Sequence, residues 1–189
     1  MNFRVLYNKL LNEHITTDKD IPFPVSKISF NKGDILTPYN SIESNVYFLQ
    51  SGIVELKIKS YTSEKILDFF FTNEVVTCLT SFLLQEPSDV EMTAIADGEA
   101  EFFTFTGIQK AYATGSLQVN KLGRILTEQA YLRKAQREKD FLSKTAEERY
   151  AEMFEFHKEY LLQIPVNKIA KYLGVHPESL SRIRKKINS

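Results

Sequence analysis

VNKIAKYLGVHPESLSRIRKKI, residues 166–187, is the stretch that decides how this chain reads. Ile169 and Leu173 are the apolar positions of a first helix, and Ala170 is small where a second helix must cross closely. Gly174 permits the left-handed backbone of a turn, and Val175 can plug the space between the helices. Leu180, Ile183 and Ile187 then recur at i, i+3 and i+7, the inward face of a second helix. Pro177 suits that helix's first turn, where its missing amide is not needed, although His176 caps less well than Ser or Thr. A chance helical hairpin would satisfy two or three of these constraints; the full set predicts a helix-turn-helix.

The outward face points to a partner. Glu178, Ser181, Arg182 and Lys185 fall at i, i+3, i+4 and i+7 and so share the exposed side of the second helix. Arg182 can offer a bidentate fork to guanine, whereas Ser179, Ser181, Lys185 and Lys186 suit phosphate. Glu178 can accept from cytosine N4 or, equally, form an i, i+4 ion pair with Arg182. Charge agrees with an anionic partner. The chain is neutral, with 24 basic and 24 acidic residues, but residues 160–189 hold six basic residues and one acidic residue, leaving 18 against 23 elsewhere. A basic end on an acidic body favours double-stranded DNA as the partner over a merely solvated helix terminus.

Working toward the N-terminus, Thr145 followed by Glu148 is a capping-box pattern, and it predicts a helix over 145–162. Tyr150, Met153, Phe154, His157 and Leu161 share its core face. Before it, residues 116–142 lack proline and are rich in helix formers, which predicts one long helix beginning after Thr114-Gly115-Ser116. Val119, Leu122, Leu126, Gln129 and Arg133, widened by Ile125 and Leu132, give it a seam for the chain's own β region, for a second copy, or for both. Residues 25–105 read as short β-rich runs separated by turn residues, at the spacing of an antiparallel barrel or jelly roll. The alternation from Val54 to Lys59 predicts a strand with one wet face. Phe69-Phe70-Phe71 does not alternate, so it predicts a strand buried on both sides or closed over by a helix.

With these pieces in order, the chain resembles the Crp/Fnr regulators over nearly its whole length. Lys32-Gly33-Asp34 and the run from Val46 to Val54 resemble the family's glycine–aspartate turn and following hairpin, and Glu178-Ser179-Leu180-Ser181-Arg182-Ile183 resembles its recognition segment more specifically. The resemblance implies an α+β fold in three parts: a cyclic-nucleotide-binding-like β-roll over residues 1–115, a central dimerisation helix over 116–142 and a helix-turn-helix unit over 143–189. It further implies a homodimer with its recognition helices in successive major grooves, about 34 Å apart.

In relatives that bind cyclic nucleotides, a Gly-Glu pair and a later Arg hold the ribose and phosphate. Here Thr77-Cys78 and Ser88-Asp89 stand at those places, and no basic residue occurs between Lys65 and Lys110. A buried phosphate without a cation is costly, so cyclic-nucleotide binding in the family manner is not expected. Thr77, Thr80 and Ser81 remain candidates for a small-molecule effector of another kind, and an empty scaffold is the alternative.

Composition excludes other classes. One cysteine, Cys78, rules out a disulfide framework or a cysteine-held iron–sulfur cluster within the chain, and the three histidines (His14, His157, His176) lie outside the β region, against a jelly-roll metal enzyme. No nucleophile–base set or phosphate-cradling glycine loop is evident, so the chain is expected to be a regulator without cofactor or metal, not an enzyme. With no bilayer-length apolar run and no signal pattern in MNFRVLYNKL, a cytoplasmic protein is expected.

Overall fold

The computed structural model describes residues 1–61 and 63–187; residues 188 and 189, the end of the predicted C-terminal unit, lie outside the described residues. Among these residues the strands form two four-stranded antiparallel sheets. One contains β1 (Ser26–Phe30), β8 (Gly98–Thr104), β3 (Asn45–Leu49) and β6 (Val75–Val76), in that order. The other contains β2 (Ile35–Thr37), β7 (Val90–Ala96), β4 (Ile53–Lys59) and β5 (Glu64–Phe70). Inward-facing Tyr47, Leu49, Val54, Phe70, Met92 and Ala100 fill the space between the sheets. The β3–β4 turn uses Gly52 at φ +89°, where a Cβ would also press within 2.9 Å of the Asp97 carbonyl.

Helices cover both outer faces. The first sheet is covered by α1 (Phe3–Leu11), α3 (Phe105–Ala113) and the first half of α4 (Leu117–Ser143), with Phe3, Phe48, Phe103, Ile108, Val119 and Leu122 in one cluster. The second sheet is covered by α5 (Ala146–Leu161) and α6 (Val166–Leu173), so that Ile53, Ile66, Phe69, Phe71 and Ile95 share a cluster with the core of the helix-turn-helix. That arrangement explains the triple phenylalanine. Phe70 points into the roll while Phe69 and Phe71 point out, and the outer pair is buried because the C-terminal helices close over it. Both forms of the sequence expectation hold at once. The remaining helix, α2 (Leu79–Leu84), is short and buries Ser81 and Phe82.

The expected wet face of β4 needs correction. Glu55 is 0% exposed because α6 lies over it, and its carboxylate pairs with Lys168 of that helix. Alternation marks two different faces but does not say that water covers the polar one. The open question about the long helix also resolves for its first half: Val119 and Leu122 are fully buried against the chain's own α1 and first sheet, while Leu132 stays exposed.

Helix starts follow their caps. Ser116 accepts from the Val119 amide at the head of α4, and Thr145 and Glu148 form the reciprocal capping box that begins α5. Among the described residues no helix is long and apolar enough to cross a membrane.

Phe69 is almost fully buried, with its ring 5.2 Å from that of Tyr172 on α6. Phe69→Ala should therefore destabilise the chain by about 3–5 kcal/mol in urea unfolding; a loss below about 1 kcal/mol would mean that the C-terminal helices do not hold this face.

Candidate functional site

The helix-turn-helix assembles as its residues dictate. Gly174 ends α6 in the left-handed region at φ +71°, its amide donating back to the carbonyls of Ala170 and Lys171. The second helix, α7 (Pro177–Ile187), buries Leu180 completely against Ile169, Ala170 and Leu173, with Ile183 and Ile187 packed at the margin. Glu178, Ser179, Ser181, Arg182, Lys185 and Lys186 are all exposed, so the six sequence-chosen residues stand together on the open side of α7. No ion pair among the described residues joins Glu178 to Arg182, and both side chains are open to solvent. Lys186 is different: its ammonium lies 2.6 Å from the Glu147 carboxylate on α5.

This unit is fixed to the body by contacts that sequence reasoning did not anticipate. Arg149 of α5 donates to the Lys144 carbonyl at 2.6 Å and to the Leu173 carbonyl at 2.8 Å, tying the turn of the motif to the end of α4. Phe141 of α4 rests on Gly174, where a Cβ would meet its ring at 3.2 Å. On the roll side, the ring of Phe71 stacks on His157 at 4.3 Å and on Tyr160 at 4.7 Å. His157 breaks the helical geometry of α5 there, with φ −134°.

The second candidate site is a cavity of about 1130 Å³ between the roll, α2 and α4. Thr77, Thr80 and Ser81 all line it, beside apolar Phe70, Phe82 and Leu126. Their hydroxyls are not equivalent. Ser81 is buried, donating to the Glu86 carbonyl and accepting from the Glu43 amide; Thr77 donates to the Asn45 carbonyl; Thr80 is exposed. Glu43 beneath them is a buried carboxylate whose pKa is raised by burial, against hydrogen bonds from Thr37 and the Asn45 amide. Burial, and then Glu43, push the Cys78 thiol up to about 12, so it sits there as a neutral, unreactive thiol.

The cavity does hold cations, brought from α4 and therefore invisible in the local run between Lys65 and Lys110. Arg133, Lys134 and Arg137 are part of its lining. Arg133 is already matched: it donates to Asp68 at 2.6 Å, to Glu74 at 3.0 Å and to the Phe69 carbonyl at 2.7 Å, and it lies over the Phe70 ring. Burial opposes its charge, but Asp68 and Glu74 outweigh burial and hold its pKa above the ordinary guanidinium value. Among the described residues no group of His, Cys, Asp and Glu side chains converges as metal ligands would.

No protein-family model matches the sequence, and no curated protein matches it. Solved structures do. The chain is similar to FixK2 from Bradyrhizobium japonicum, at 20% identity over 87% of this chain and 85% of that one, with a TM-score of 0.73. It is similar to a Eubacterium rectale protein ascribed to the Crp/Fnr family of transcriptional regulators, at 18% identity over 97% and 88% and a TM-score of 0.71. A third likeness is to the c-di-GMP-responsive regulator CLP of Xanthomonas campestris, at 14% identity over 87% and 86% and a TM-score of 0.67. Roll, long helix and helix-turn-helix together are the fold of the Crp/Fnr regulators.

Burial lowers the pKa of His157, with Glu74 and Asp68 acting in the opposite direction and Arg133 reinforcing it. The packed state thus prefers the neutral ring, and this contribution is complete above the unfolded value of about 6.5 and lost as pH falls below it. Urea midpoints should drop between pH 7 and pH 5 and drop less in His157→Phe; equal drops in both proteins would place the titration elsewhere.

Proposed function

We propose that the chain is a sequence-specific DNA-binding transcription regulator, acting as a homodimer with α7 in the major groove. The observation that carries this reading is the division of α7 between a fully buried Leu180 and an open stripe of Glu178, Ser181, Arg182 and Lys185. A helix so divided presents forked and point cations to base edges and phosphates while its other side is held rigid. Arg182 is the base-reading residue and Glu178 its neighbour on the groove floor. Ser179, Ser181 and Lys185 serve phosphate, with Lys186 doing so once it leaves Glu147. The likeness to Crp/Fnr-type structures supports the same reading and its two-fold arrangement. The exposed Leu132 and Leu142 on α4 are available to a second copy.

The division of labour is a sensor roll up to residue 115, a joining helix, and a reading unit from residue 143. The roll does not answer to cyclic nucleotides. Its cassette carries no cation, Arg133 of α4 is consumed by Asp68 and Glu74, and Asp89 adds a negative charge to the lining. An effector bound beside Thr77, Thr80 and Ser81 would be uncharged and would pack on apolar side chains that line the same cavity, Phe70, Phe82 and Leu126. Nothing in the site calls for a cofactor, and its chemistry is recognition, not catalysis.

Selection of bound sequences from random DNA tests the reading: a two-fold-related motif supports it, and a pool with no shared sequence overturns it. On the selected site, Arg182→Ala should cost roughly 1–3 kcal/mol and relax preference at one base pair per half-site. Lys185→Ala should weaken all sequences alike and lower the salt slope by about one. Calorimetry with cyclic AMP and cyclic GMP should give no binding heat, and tight binding of either would overturn the account of the roll.

A further inference from the structure

β5 is the edge strand of its sheet, so one row of its carbonyls has no neighbouring strand to pair with. Two arginines one turn apart on α4 fill that gap. Arg133 reaches the carbonyl of Phe69, and Arg137 reaches that of Ile66. Arg137 does more than cap an edge. The same nitrogen, Nη2, donates to Ile66 at 3.3 Å and to the Tyr172 carbonyl at 3.2 Å. Tyr172 lies in the last turn of α6, where helix carbonyls lack intrahelical partners and a cation is favoured. The guanidinium also lies over the Tyr172 ring, 3.9 Å from its centroid. One side chain of the central helix therefore holds the sensor sheet and the first helix of the DNA-reading motif together.

We propose that Arg137 is a positioning residue that sets where the helix-turn-helix stands relative to α4 and the sensor sheet. In a two-fold dimer built on α4, that placement sets the separation of the two recognition helices and therefore the half-site spacing the protein accepts. The spacing claim rests on the DNA-binding reading; the joint itself does not. Phe69, Phe71 and the Glu55–Lys168 pair supply area and charge to the same contact, but Arg137 alone among them belongs to the helix that would carry the dimer axis.

The test uses the full chain and Arg137→Met, with Arg137→Lys as a milder variant that keeps the charge but loses the planar fork, and Lys139→Met as an exposed control on the same helix. Hydrogen exchange followed by mass spectrometry should show amides of β5 and α6 exchanging at least tenfold faster in Arg137→Met, with those of the first sheet unchanged. Unchanged exchange in α6 would overturn the joint. Should the Met variant fail to fold, the Lys variant carries the same comparison, with a smaller acceleration expected and no acceleration overturning the joint. Binding is then measured on the selected operator and on versions lengthened by one and two base pairs. The parent and Lys139→Met should discriminate among spacings, while Arg137→Met should lose at least tenfold of that discrimination and keep its affinity for a single half-site. Equal discrimination in parent and variant would overturn the positioning role. If the parent binds no DNA, the DNA-binding reading and the spacing role built on it fail together, and the exchange result decides the joint by itself.

Discussion

The molecule is organised around a β-strand that cannot be left at the surface. β5 ends in Phe69 and Phe70 and is followed directly by Phe71, a run that forces burial on both faces, and as an edge strand it offers unpaired carbonyls to whatever lies alongside. The roll supplies only one of the covers. The C-terminal helices supply the second through Phe69, Phe71, Tyr160 and Tyr172, and the arginines of α4 supply the third by capping the edge. The docking of the helix-turn-helix against the roll is therefore part of how the sheet is completed.

Polar contacts make that docking specific. Glu55 is fully buried, and one of its oxygens has no partner, so the carboxylate depends on Lys168 for compensation. Such a pair adds little net stability once desolvation is counted, yet removing either partner strands a charge, which favours one docking geometry over its slipped alternatives. With Lys168 and Tyr172 of α6 turned toward the roll, and Ile169, Ala170 and Leu173 turned toward the other helices, the polar stripe of α7 is the part of the motif left open. The direction in which α7 presents its open face is thus a consequence of which face of α6 the sheet requires.

Local chemistry was legible in the sequence wherever the cause was local. Thr145 and Glu148 announced a helix start, Gly174 a left-handed turn, and Leu180, Ile183 and Ile187 a buried face, because each acts within a few residues. What was missed depends on distant partners. Glu55 alternates just as a solvent-facing residue would, and only a helix more than a hundred positions later makes it buried. The cavity's cations come from α4, outside the run that forms the rest of the site. The seam of α4 was visible, but its period cannot tell a neighbouring sheet from a second copy; Val119 and Leu122 chose the sheet. Short β2 lacks enough residues to show a period, and α1 owes its place to Phe3, Leu6 and Tyr7 packing on a sheet formed later in the chain.

The account turns on α7 being open in the free protein while the docking face of α6 is closed, and on DNA covering the first without disturbing the second. Hydroxyl-radical footprinting of the side chains, with and without selected DNA, measures both at once. The account predicts that labelling at the exposed Pro177, Arg182 and Lys185 falls on DNA addition, while the buried Phe69 and Phe71 stay protected throughout. Labelling of α7 that ignores DNA, or strong labelling of Phe69 and Phe71 in the free protein, would contradict it.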